Sequence, residues 1–142
     1  MFELKNEKSY YKFLFQSSIL ALFAFIIVQM FKPSSFIGTF LIYTALELIL
    51  FSTKFTDSVI VNSNRATVIY YRFFYRREIV FSISDIQSKI SKEASLRSPV
   101  YLVLNIFQDN KKIYSIDSRD GFDDDDLIKL DQVLNTKTSS CT

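Results

Sequence analysis

The stretch Val68–Ser82 reads VIYYRFFYRREIVFS and holds five aromatics and three arginines between Tyr70 and Glu78, with no glycine. On one side Thr67, Ile69 and Tyr71 alternate with their neighbours; on the other Ile79, Phe81 and Ile83 do the same. Period-two alternation rich in β-branched and aromatic residues is the pattern of half-buried strands. The stretch therefore predicts two strands joined by a turn at Phe73 to Arg76. Arginine and aromatic side chains crowd that turn where glycine or asparagine would be ordinary.

The same alternation recurs on both sides of this stretch. Val59 and Val61 form a strand that reaches Asn62-Ser63-Asn64, a turn. Val100 to Gln108 (VYLVLNIFQ) sets Leu102, Leu104 and Ile106 on one face, and Asp109-Asn110 turns it into KKIYSID. A further strand is expected at Ile86 to Ile90, and Glu93 to Ser98 reads as a loop or bulge. The chain then changes period. Leu127, Leu130 and Leu134 at i, i+3, i+7 predict one amphipathic helix over 123–135. Asp123 to Asp126 stand at its start, where the macrodipole favours negative charge. Their spacing is not that of an EF-hand loop, so no metal site is expected.

The N-terminal part is of another kind. Phe13 to Phe31 is 19 residues without a charge, and Ser34 to Thr53 is a second apolar run whose one charge is Glu47. A span needs roughly 20 mostly apolar residues. No small-residue cleavage site follows the first run, which argues against a signal peptide. The expectation is a transmembrane α-helical hairpin over 13–53, with helices at about 13–31 and 34–53. Lys5, Lys8 and Lys12 precede it and Lys54, Arg65 and Arg72 follow it, whereas the connection holds only Lys32. The positive-inside rule then puts both termini in the cytoplasm. Ser17, Ala21 and Ala24 share a face that Gly38 and Ala45 can oppose. Glu47 has two readings. One is an intramembrane polar site, an ion pathway or an interhelical hydrogen bond to Gln29 or, at a better matched depth, Gln16. The other, the favoured one, is a carboxylate that snorkels to the near interface.

The organisation expected is an N-terminal cytoplasmic segment at 1–12, the hairpin at 13–53, a cytoplasmic β domain at 54–135 and a disordered tail at 136–142. Composition narrows the function. The chain has no histidine, and its single cysteine, Cys141, is in the tail. The usual nucleophile–base pair, a histidine-rich metal site and a disulfide framework are all out of reach. Asp85, Asp117 and Asp120 form no recognisable catalytic motif. A net charge of +2 gives no reason to expect nucleic acid. The expectation is a protein that is not an enzyme and carries no cofactor.

The order of elements, with Asp57, Ile60, the stretch Val68 to Phe74, Ile79, Phe81, Ser82, Asp85-Ile86 and the helix Asp124 to Leu134, resembles the membrane-anchored bacterial pleckstrin-homology-like (PH-like) domain proteins. That resemblance implies a bent antiparallel sheet or partial barrel plugged by the last helix, held at a bacterial inner membrane. It does not bring inositide recognition with it, since only Arg65 stands where phosphoinositide-binding members carry a basic cluster.

Placed on such a domain, Phe73, Phe74, Tyr75, Arg76 and Arg77, together with Lys54, are candidate anchors at the membrane surface. A strand of about 26 Å from Arg65 to Arg72 returns the chain toward the bilayer. Arginines at headgroup level attract anionic lipid by about 1 kcal/mol each. From Lys54 to Arg77 there are five basic residues and one acid; from Gln108 to Asp131 the balance is four to eight. The competing reading makes Tyr71 and Phe73 core residues and Tyr70, Arg72 and Phe74 decoration of a sheet. The function expected is a membrane-anchored binding or scaffold module that meets lipid, a protein partner or itself. The alternative is a small immunity or accessory subunit acting through its hairpin on a larger membrane protein.

Overall fold

The computed structural model describes residues 1–31, 36–95 and 98–139 of the chain. The connection at Lys32, part of the expected loop Glu93 to Ser98, and Cys141 lie outside the described residues. The chain runs β1 (Phe2–Lys5), α1 (Tyr10–Phe31), α2 (Phe36–Ser52), β2 (Phe55–Val61), β3 (Arg65–Arg72), β4 (Tyr75–Ser82), β5 (Ile86–Ser95), β6 (Ser98–Gln108), β7 (Lys111–Asp117) and α3 (Asp124–Ser139). Two antiparallel sheets result, ordered β1-β2-β3-β4 and β5-β6-β7.

The alternation foreseen along the strands builds the core. Val59, Val61, Ala66 and Val68 from the first sheet are fully buried, as are Leu104, Ile106 and Ile116 from the second. Leu127, Leu130 and Leu134 of α3 close the same cluster. Burying one such side chain contributes about 1.5–3 kcal/mol. The Leu127 amide donates to the Asp123 carbonyl at the start of α3 (3.1 Å). Asp124, Asp125 and Asp126 occupy its first turn, and Asp126 pairs with Lys129 (3.0 Å). The helix continues past the expected end at 135 to Ser139.

One strand was not foreseen. Phe2–Lys5, expected within a separate N-terminal segment, pairs antiparallel with β2, from Phe2 opposite Val61 to Lys5 opposite Ser58. Leu4 enters the main core. The β domain therefore begins at residue 2, and α1 and α2 are an insertion between its first two strands. A register shift in β2 between Thr56 and Ser58 lies where β1 ends, at Lys5 opposite Ser58. There the Asn6 amide donates to the Asp57 carbonyl (2.7 Å).

The two inserted helices pack on each other. The Phe25 ring lies 6.0 Å from Phe36 and 5.5 Å from Tyr43, and the Ser18 hydroxyl donates to Glu47 Oε2 (3.1 Å). Gly38 is not at this contact, because a Cβ added there would meet nothing within 4 Å. Among the described residues one helix, α1, is long and apolar enough to cross a membrane. Only 6 % of its apolar window is buried. The described part of α2 is 17 residues, about 26 Å of helix, against the 20-residue span expected from Ser34 to Thr53.

Candidate membrane-surface site

The two residues between β3 and β4 set the site. Arg72 pairs with Tyr75, so Phe73 and Phe74 alone make the turn. Both have positive φ, 50° and 66°, the pattern of a type I′ hairpin turn. This corrects the expected turn at Phe73 to Arg76: Tyr75, Arg76 and Arg77 lie on β4. Bulky residues are disfavoured in the left-handed region, at a cost of order 1–3 kcal/mol each.

The neighbours offset that cost. The Phe73 amide donates to the Phe51 carbonyl (2.9 Å), and the Phe74 amide donates to the Tyr10 hydroxyl oxygen (3.0 Å). Arg72 Nε donates to the Ser52 carbonyl (3.0 Å). Phe51 and Ser52 are the last residues of α2, whose carbonyls have no partner within the helix. The turn thus caps α2 while Tyr10, the first residue of α1, caps the turn. Tyr10 is buried, and its ring stacks on Tyr71 at 4.6 Å and 10°. Phe74 meets Phe51 at 4.8 Å. Tyr10, Leu14 and Phe55 form a second small core here, flanked by Phe13, Leu50, Phe51 and Tyr71.

What remains outside is aromatic and basic. Phe73, Phe74 and Tyr75 are 39 %, 53 % and 70 % exposed. Arg76 and Arg77 are exposed, and Arg76 meets Glu78 at 3.3 Å, a pair solvated enough to contribute little. The structure therefore brings five of the six candidate anchors together, beside the start of α1 and the end of α2. Lys54 is elsewhere. Its ammonium sits 5.6 Å from the Tyr70 ring and 5.7 Å from the Tyr114 ring, at the mouth of a different cleft. The competing placement is met only in part: Tyr71 packs partly buried against the small core, but Phe73 is at the surface and Tyr70, expected on the outer face, is buried.

Glu47 does not meet Gln16. Its partner is Ser18, two residues on and about 200° around the helix from Gln16. Gln16 is exposed, and Glu47 Oε1 is buried without a hydrogen-bond partner among the described residues.

A second junction ties the start of α1 to the domain. Asn6 Nδ2 donates to the carbonyls of Thr56 (2.7 Å) and Asp120 (3.1 Å), while Asn6 Oδ1 accepts from the Lys8 amide (2.7 Å). The Glu7 amide donates to the Gly121 carbonyl (3.0 Å). Gly121 has φ 116°, and a Cβ there would clash with Asn6 Oδ1. Only glycine allows this approach. Desolvation raises the carboxyl of neighbouring Asp120, with Asp117 adding to the shift and Lys8 opposing it. Sequence reasoning missed Tyr10, Arg72 and Asn6, whose partners are distant in the chain. Only the Tyr10-Tyr11 pair at the head of an apolar run hinted at an interfacial role. Among the described residues no cluster of acids or cysteine could hold a metal. Comparisons with protein families, curated proteins and solved structures yield no match to this chain.

Proposed function

We propose that the chain is a membrane-anchored, non-enzymatic binding module that presents a PH-like β domain at the cytoplasmic face of a bacterial inner membrane. The carrying observation is the position of α1 and α2 as an insertion between two paired strands. If α1 crosses the bilayer, α2 must bring the chain back, because β1 and β2 belong to one sheet. A helical hairpin, both termini on one side and a multi-pass chain follow from that premise. The basic residues flanking the pair support the cytoplasmic side. In water the uncovered apolar surface of α1 would be an association hazard; in lipid it is the expected state. The four-plus-three strand arrangement with a closing helix supports the PH-like reading.

On this reading Phe73–Arg77 lies at headgroup level, its exposed rings and two guanidinium groups facing anionic lipid. Glu47 supports a second reading. A carboxylate with one oxygen bonded to Ser18 and the other unpartnered suits a helix pair that acts on a larger membrane protein.

Alkaline carbonate extraction of membranes containing the full-length chain, paired with Arg76→Gln/Arg77→Gln, tests the proposal. Parent and variant are both expected to stay in the pellet, and the parent reconstituted into phosphatidylglycerol bilayers to shield Tyr75 from aqueous labelling more than the variant does. Release of the parent into the supernatant contradicts the anchor. Equal labelling of Tyr75 in parent and variant contradicts the surface patch.

A further inference from the structure

Three adjoining recesses run along the junction between the helices and the β domain, on the Lys54 side. The first, about 380 Å³, is lined by Lys54, Thr56, Lys112, Tyr114, Asp117 and Asp120 among others. The second, about 230 Å³, shares Lys54 and Asp120 with it and adds Lys8, Phe13 and Thr53. The third, about 370 Å³, shares Lys8 and Phe13 with the second and reaches Lys12 and Gln16 on the first turns of α1. Shared residues make these one path, from the polar face of β7 to the beginning of an apolar helix.

Charge along the path is unbalanced. Lys8, Lys12, Lys54 and Lys112 meet no carboxylate within ion-pair distance among the described residues. Asp117 is already matched, because Arg119 donates to both its oxygens (2.6 and 3.1 Å). Glu7 and Asp120 are the lining carboxylates without an ion pair among the described residues. Lys8 gives one of its three donors to the Arg119 carbonyl (2.6 Å), leaving two for a ligand. Lys54 lies over two neighbouring phenol rings, Tyr70 and Tyr114, which attract a cation without neutralising it.

We infer that this path is a binding site for one anionic phospholipid, separate from the Phe73–Arg77 patch. The phosphate sits between Lys8 and Lys54, the rest of the headgroup reaches toward Lys112, and an acyl chain leaves past Phe13 along α1. A free phosphate would use only the polar end; continuity with the apolar helix selects a molecule with a tail. The inference rests on reading α1 as a membrane span.

Native mass spectrometry of the full-length protein tests it, after purification in mild detergent with equal phosphatidylglycerol and phosphatidylcholine. One phosphatidylglycerol per chain is expected to be retained in preference to phosphatidylcholine. Lys8→Gln/Lys54→Gln, checked for fold by circular dichroism, should lose roughly thirtyfold in affinity for the lipid, given the attraction of about 1 kcal/mol of each lysine for anionic lipid. Arg76→Gln/Arg77→Gln and the distant Lys92→Gln should keep the lipid. Equal retention of the two lipids, or a Lys8/Lys54 variant that binds like the parent, overturns the site. Loss of the lipid in the Arg76/Arg77 variant moves it to the other patch and also overturns it. Glycerol 3-phosphate binding as tightly as the lipid would make the ligand a soluble phosphate and overturn the lipid assignment. Carbonate extraction separates the two failures: release from the membrane breaks the span reading, whereas retention without lipid preference breaks only this inference.

Discussion

Two hairpin turns in this molecule share one backbone conformation and almost nothing else. Phe73-Phe74 has φ of 50° and 66°; Asp109-Asn110 has 51° and 61°. Each is a two-residue connection, closed by the pairs Arg72–Tyr75 and Gln108–Lys111. Aspartate and asparagine tolerate the left-handed region, so the second turn explains itself from its own residues. Two phenylalanines do not, and the first turn is intelligible only through Phe51, Ser52 and Tyr10. A turn that its own sequence opposes points to an external holder, and here the holder is the pair of helix ends.

Of the substitutions that separate the two turns, one at Tyr10 has the largest effect. Tyr10→Ala removes a buried ring, its stack on Tyr71 and the acceptor for the Phe74 amide. It should cost about 3–5 kcal/mol in denaturant unfolding of the detergent-solubilised protein. Moving the unfavourable chemistry to the undocked turn comes next. Asp109→Phe/Asn110→Phe should cost about 2 kcal/mol or more, since no helix end waits there to compensate. A neutral result would mean that phenylalanine carries no penalty in this turn and that docking explains nothing. Tyr10→Phe keeps the ring and deletes the hydroxyl, so a loss of about 1 kcal/mol and faster hydrogen exchange at Phe74 are expected.

Smallest is a pH effect at the other junction. Desolvation raises the Asp120 carboxyl above its ordinary 3.8, so the folded state holds that proton more tightly than the unfolded state. The contribution favours folding below the ordinary value and is lost as pH rises through the raised one. Asp120→Asn should therefore be more stable than the parent at neutral pH, with the gap closing in acid. An unchanging gap across that range would contradict the shift.

The parts legible in the sequence were those with a local signal. Leu127, Leu130 and Leu134 state the period of α3, and Val59, Val61 and Phe81 state the alternation of their strands. Two apolar runs announced α1 and α2. β1 was not legible: FELK alternates apolar and charged with Phe2 and Leu4 turned to the core, but four residues are too few to stand out, and their partner lies beyond the two helices. The Phe73-Phe74 turn was located within a few residues, but its conformation was not, because turn chemistry argued against it. The candidate patch was legible from composition, whereas Lys54 was grouped with it only by closeness in sequence to α2. Its true neighbours, Tyr70 and Tyr114, come from β3 and β7. For Glu47 the expected partner was two residues off along α1 and so on the wrong helical face, which exchanged Ser18 for Gln16.

The chain has no tryptophan, so one introduced residue becomes a unique fluorophore. The most direct test of the central claim is Phe74→Trp in full-length protein reconstituted into bilayers carrying brominated lipids, with Phe107→Trp beside the other turn as its comparison. Strong quenching of Trp at 74 by bromine placed shallowly in the acyl chains, and none at 107, is the result this account predicts. Equal quenching at both sites, or a residue 74 open to aqueous iodide and untouched by bromine, would contradict it.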